Sequence, residues 1–402
     1  MAEIQRPRAA MASRVARFTE SVIREMTRLA DDHRAINLAQ GFPDFDAVEE
    51  IKAAAVAAIE AGVNQYPVTW GSPTLRGAIV SKYARFGWPE LDPETDVVVT
   101  CGSTEAMAST FLALVDPEDE VLMFEPFYEN YGPDAFLSGA IPRVVPLTPP
   151  DWSLDVDRLR DAIGPRTRAV VLNTPHNPTG KVFTEAELSA VADVAIDRDL
   201  LLFTDEIYEH ILYDGRRHLS IALLPGMSER TVTISALSKT YSVTGWRVGW
   251  AISSPELIGA IRKVHDFLTV AAPAPLQEAG VAALGLPDSY YADLASSYAE
   301  RRDVFLGLLE GTGFNSFLPQ GAYYAMTEVR GLRESRGMAD ETAFCRDLVV
   351  SGGVAAVPGS SFFADPADGR DFIRLAFPKR LETLRLAADR LRAFSMASAG
   401  GS

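Results

Sequence analysis

Cysteine is nearly missing from this chain, with Cys101 and Cys345 alone in 402 residues. Two are too few for a disulfide framework or a cysteine zinc cluster. Histidine is also scarce: His33, His176, His210, His218 and His265 show no HExxH or paired spacing, so no metal is expected. Basic residues are outnumbered, 38 Lys and Arg against 54 Asp and Glu, for a formal net charge of -16. That balance argues against a general nucleic-acid or anionic-membrane surface and leaves room for one local anion site. No apolar run approaches the roughly 20 residues of a membrane span. Arg6, Arg8, Arg14 and Arg17 come without the apolar block of a secretory signal, and the N-terminus reads as an arm docking on the body or on a partner subunit. The tail 398–402 is small and flexible in composition, and no internal repeat is visible. A cytoplasmic protein acting on small molecules, with no nucleic-acid or membrane partner, is expected.

What is present is an alternation of strand and helix signals in a chain too long for one core. Hydrophobic content of 47% and charged content of 23% are those of a globular protein. The pattern predicts strands over 97–100, 120–124, 169–172 and 200–204, with helices over 104–114 and 185–199 between them. The almost wholly apolar run 200–204 implies burial on both faces of a parallel sheet. A long helix over 288–310 then leads into strands at 322–329, 354–357 and 372–376 and helices at 341–350 and 381–394, which together read as a compact α+β lobe.

Candidate chemistry sits at the ends of these strands. Lys239, in ISALSKTYSVTGWRVGW, falls on a predicted loop between strands at 230–234 and 248–252, flanked by small residues that leave room for a bulky ligand. Desolvation there would lower its amine pKa and suit it to Schiff-base chemistry; on this segment alone it reads equally as a surface lysine. Asp205 ends a buried strand and needs a cationic partner. Ser103 and Thr104 open a helix after a strand and a small-residue turn, a place that favours phosphate in some α/β units and binds nothing in many others. Asn177, in NTPHNPTG, offers an amide to a ligand or to local backbone. Gly41, in INLAQGFPDFD, allows backbone to approach a carboxylate or merely turns the chain. Tyr66 and Trp70 look exposed in a polar stretch and suit an interface or a ligand contact. Arg374, in the apolar strand FIRLAF, should face an anion.

Placed together, these loops supply what pyridoxal 5'-phosphate needs: a lysine for its aldehyde, a carboxylate for its ring nitrogen and donors for its 3'-oxygen. The chain resembles fold-type I, class I aminotransferases, in pattern the kynurenine, glutamine and methionine aminotransferase-like branch. The matching segments are INLAQGFPDF, NQYPVTWGSPTLR, VTCGSTEA, FEPFYENY, LNTPHNPTGKVF, TDEIYEH, SKTYSVTGWRVGW and FIRLAFPK, in the expected order over nearly the whole length. The resemblance implies an α/β fold whose large domain has a mostly parallel seven-stranded sheet flanked by helices, with a smaller α+β C-terminal domain. It divides the chain into an arm with part of the small domain (1–46), a large cofactor-binding domain (47–287) and a small domain after a linking helix (288–402).

By the same resemblance Lys239 carries the cofactor covalently and moves the substrate proton, and Asp205 pairs with the ring nitrogen. Tyr208 and Asn177 bond the 3'-oxygen, Tyr128 stacks on the ring, and Ser103, Thr104 and Arg247 hold the phosphate, with Tyr66 reaching across from the second subunit of a homodimer. Arg374 grips the substrate carboxylate, helped by Asn177 and the Gly41 backbone. One departure stands out: relatives often have a phosphate-binding serine where this chain has Ala236, and Ser235 or Ser238 is left to substitute. The implied reaction is transamination of an L-amino acid, neutral or aromatic, with a 2-oxo acid. A cysteine S-conjugate β-lyase on the same residues, or a cofactor-binding regulator without turnover, are the alternatives. A distal carboxylate on the substrate would call for a second cation, which the sequence does not designate.

Overall fold

The computed structural model describes residues 12–399; Arg6, Arg8 and the last three residues of the tail lie outside them. Among the described residues its main sheet has eight strands, one beyond the seven expected, in the order Val97–Thr100, Gly249–Ile252, Thr231–Ala236, Leu201–Asp205, Thr167–Asn173, Glu120–Glu125, Ile141–Thr148 and, as the additional edge strand of two residues, Ser153–Leu154. Gly249–Ile252 runs antiparallel to both neighbours and Ser153–Leu154 is also antiparallel; the other pairings are parallel.

Period-two alternation explains why the strands are apolar throughout. Val98, Val121, Met123, Leu201 and Phe203 point to one face, where they pack with Met107 and Phe111 of the helix Ser103–Leu114 and Ile258 and Ile261 of Pro255–Leu268. Val97, Val99, Trp250 and Ile252 point to the other, against Ile79 of Pro73–Arg85 and Ala279 of Ala274–Leu284. Leu122, Leu172 and Leu202 share that second face and join a cluster running on through Tyr298 and Phe305 of Asp288–Leu309 to Met326, Ile373 and Leu375. Those last residues belong to an antiparallel sheet ordered Asn315–Ser316, Tyr324–Glu328, Phe372–Ala376, Val357–Pro358. Ile36–Asn37 pairs in parallel with Val354–Ala355, which ties the segment before residue 46 to the C-terminal part of the chain.

Two local features depart from the sequence expectation. The strand Ile141–Thr148 was not among those expected; Pro142 and Pro146 interrupt the pattern by which a strand is recognised. Residues 141–146 pair with Glu120–Glu125 on one side, and among the described residues the other side is paired only at Leu147 and Thr148, by Ser153–Leu154, an edgeward position where proline's missing N–H does little harm. Lys239 sits not on a loop but in the four-residue helix Leu237–Thr240. A single turn is too short for hydrophobic periodicity to reveal.

Candidate active site

A cavity of about 420 Å³ opens at the C-terminal ends of the parallel strands, and it gathers the site residues singled out from the sequence except Tyr66, Trp70 and Ser235. Strand ends position several of them: Asp205 closes Leu201–Asp205, and Ser103 opens the helix three residues after Thr100. Tyr66 is 84% exposed, in the segment before Pro73. Trp70 is half-buried, beneath the guanidinium of Arg262.

Lys239 Nζ donates to the carbonyl of Gly41 at 3.1 Å and lies over the rings of Tyr208 and Tyr323. Burial lowers its pKa, and the nearby charges of Arg374 and Arg247 push the same way, against Tyr324 and Asp205. Gly41 has to be glycine: a Cβ there would stand 2.0 Å from Tyr324 Oη. Its loop is also fixed by Lys379 Nζ on Phe42 O at 2.8 Å and by Tyr323 Oη on Gly41 O at 2.9 Å.

Asp205 Oδ2 accepts from Tyr131 Oη at 2.8 Å, and Oδ1 from the Ile207 amide at 3.3 Å. Those donors do not offset burial, which pushes its pKa up to about 6. Tyr131 was missed in the sequence; its only signal was its place in EPFYENY, three residues after Tyr128. Asn173 was missed too: it donates to Asp205 O and accepts from the Asn177 amide, joining the two strand-end loops.

Arg374 is 1% exposed. Its Nη1 donates to Asn177 Oδ1 at 2.8 Å and its Nη2 to Ala39 O at 2.7 Å, while buried Nε has no partner among the described residues. The guanidinium packs on the rings of Tyr324 and Phe362, at 4.2 and 4.9 Å. Tyr208 and Tyr324 share a hydroxyl contact of 3.0 Å. Neither Tyr323 nor Tyr324 was singled out from sequence.

At the far end, Arg247 Nη1 donates to Thr244 O at 3.0 Å, and its guanidinium crosses so close to Gly102 that a Cβ there would lie 2.4 Å from Nη2. Gly102 also has a φ of 81°, which favours glycine. Of the two serines near Ala236, Ser235 is buried with Oγ on Glu209 at 2.9 Å, whereas Ser238 lines the cavity. Glu209 also accepts from Lys82 at 2.5 Å, and Glu206 from Ser220 at 2.7 Å, with His218 2.6 Å away. Glu206, Glu209 and His218 lie close enough together to suggest a cation site, but Lys82 already supplies the charge.

The donor set fits pyridoxal 5'-phosphate. An amine of lowered pKa faces the cavity, a buried carboxylate whose pKa is raised by that burial faces it too, and a guanidinium beside a helix N-terminus marks an anion end. The class I and II aminotransferase family model matches residues 33–391, and the chain belongs to that family. It is 43% identical to a probable N-succinyldiaminopimelate aminotransferase of Mycobacterium tuberculosis, over 94% of this chain and 97% of the relative. It is 35% identical to a methionine aminotransferase of Escherichia coli, with the same coverage. A solved structure of N-succinyldiaminopimelate aminotransferase from M. tuberculosis superposes with a TM-score of 0.92 at 42% identity, covering 96% of this chain and all of that one. The protein is thus an enzyme of the aspartate aminotransferase-like fold, dependent on pyridoxal 5'-phosphate, with amino and oxo acids as expected substrates. Among the described residues no helix is long and apolar enough to cross a membrane.

Proposed function

We propose that the enzyme transfers the amino group of a neutral or aromatic L-amino acid, such as glutamine, methionine or phenylalanine, to a 2-oxo acid, using the residues gathered in this cavity. The observation that carries the reading is one cavity lined by an amine of lowered pKa at Lys239, the buried carboxylate of Asp205 and the buried guanidinium of Arg374. The bound cofactor supplies an electron sink that lets a substrate Cα–H bond break near neutral pH.

Arg374 binds the substrate α-carboxylate with donors that now bond Asn177 and Ala39, and Nε, among the described residues, has none to give up. Lys239, whose amine pKa is lowered by burial, would take the proton from the substrate Cα and deliver it to the cofactor's C4' in the same half-reaction, and would run that transfer in reverse for the 2-oxo acid. Asp205 holds a proton at the ring nitrogen, and Tyr131 keeps its carboxylate oriented. Tyr208 and the unspent Nδ2 of Asn177 bond the 3'-oxygen. Tyr128 covers the ring face, while Ser103, Thr104, Ser238 and Arg247 receive the phosphate. Gly41 presents its backbone to the substrate carboxylate.

We read the chain as an arm with part of a small lobe (1–46), a large lobe (47–287) and a small lobe (288–402), assembled as a homodimer. Tyr66 at 84% and Phe267 at 90% exposure are the apolar side chains such a contact would cover, bringing Tyr66 to the second copy's phosphate site.

A second reading has an observation of its own: the relative at 43% identity is named for N-succinyldiaminopimelate, a donor carrying further carboxylates. A panel of donors including that compound, each assayed with 2-oxoglutarate and with pyruvate, separates the two by kcat/KM. A cysteine S-conjugate that yields pyruvate without any oxo acid would instead indicate β-elimination.

A further inference from the structure

The cavity holds a cation that no role above uses. Arg24, Lys239, Arg247 and Arg374 all line it. Lys239 bonds Gly41, Arg247 bonds Thr244, and Arg374 bonds Asn177 and Ala39. The Arg24 guanidinium has no hydrogen bond or ion pair among the described residues, its charge acting on exposed Glu20; of its donors only the backbone amide is bonded, to Ser21 O and Ser21 Oγ. The two carboxylates lining the same cavity are already engaged, Asp205 by Tyr131 and Glu129 by Ser21. Nor does Arg24 serve its own helix, Val22–His33, where a cation in the first turn meets the positive end of the macrodipole.

The place of this arginine follows from what the other walls do. Arg374 takes the substrate α-carboxylate, and Ser103, Thr104 and Arg247 form the anion end for the cofactor. The helix start and the Gly41 loop supply Ser21, Ile23, Arg24, Gln40 and Phe42 as a wall open to the substrate side chain, with Glu129 beside them bonded by Ser21. Ile23 and Phe42 suit the apolar body of such a chain, and Arg24 suits a negative group at its end. Because a transaminase takes donor and acceptor in the same pocket in turn, a half-solvated arginine at the mouth can meet a charged side chain and turn to water for an uncharged one.

We propose that Arg24 receives the distal carboxylate of a dicarboxylic substrate, first of all a 2-oxo diacid acceptor; this rests on the transamination reading above. The test uses cofactor-loaded full-length enzyme, wild type, Arg24→Gln and Arg24→Lys, with one amino donor and either 2-oxoglutarate or pyruvate. In Arg24→Gln the ratio of kcat/KM for 2-oxoglutarate to that for pyruvate should fall about tenfold, the size of one charge-assisted contact at a partly exposed site, with partial recovery in Arg24→Lys. Calorimetric binding of glutarate against butyrate should show the same loss of preference. An unchanged ratio in both measurements overturns the assignment of Arg24. If the wild type moves no amino group to either acid, the transamination reading fails, and the glutarate-to-butyrate ratio still decides Arg24.

Discussion

Replacing Asp205 with asparagine should make the cofactor-free protein more stable at neutral pH while disabling it as an enzyme. Asp205 ends a buried strand with one hydroxyl and one long amide contact, and its pKa is raised from 3.8 to about 6, chiefly by burial. Between those values the folded chain binds more protons than the unfolded chain, so stability falls as pH rises, and the cost is fully present above about pH 6. Raising this carboxyl from 3.8 to about 6 costs the folded state ~3 kcal/mol at neutral pH. Asparagine keeps an acceptor for Tyr131 and carries no charge, so urea unfolding at pH 7 should show the variant more stable by up to that amount. Near pH 4, where the wild-type carboxyl is protonated in the folded state, the gap should close. With cofactor present the order should reverse, because only the carboxylate can hold a proton on the ring nitrogen. A variant that is no more stable than wild type at pH 7, or whose advantage is the same at pH 4, would refute the claim that this carboxylate is buried without adequate compensation.

Arg374→Ala should raise KM for amino acids roughly a hundredfold through loss of a bidentate charged contact; steady-state kinetics showing an unchanged KM would count against its role. Lys82→Met should destabilise the fold by about 3–5 kcal/mol, since it strands the buried Glu209 carboxylate. Adding Glu209→Gln should recover most of that in denaturant unfolding, and failure to recover would mean that Lys82 acts through packing alone.

The sheet was legible in the sequence because its strands are short apolar runs whose alternate residues enter opposite cores, as at Leu201, Leu202 and Phe203. The strand at 141–148 was not expected because its prolines interrupt the pattern, and the edgeward position that tolerates them is a fact of topology. The motifs around Lys239, Asp205 and Arg374 pointed to one cavity because each puts a charged group against an apolar run, which asks for a partner. The partners themselves were not visible. Tyr131 meets Asp205 from 74 residues away, and Tyr323 bonds Gly41 from 282 away. Ser235 and Ser238 looked interchangeable in sequence, yet strand and helical-turn geometry sends one to Glu209 and the other to the cavity. Arg24 was silent because a lone arginine on an amphipathic helix reads as a solvated face until the opposite wall is in view.

The central claim is that the amine of Lys239 carries the cofactor. Borohydride reduction of the loaded enzyme followed by peptide mass spectrometry tests it directly. The account predicts one pyridoxyl phosphate group on the peptide containing Lys239, lost when an amino acid substrate is added before reduction and absent in Lys239→Ala. A label on another lysine, or a Lys239→Ala protein that still turns over normally, would contradict it.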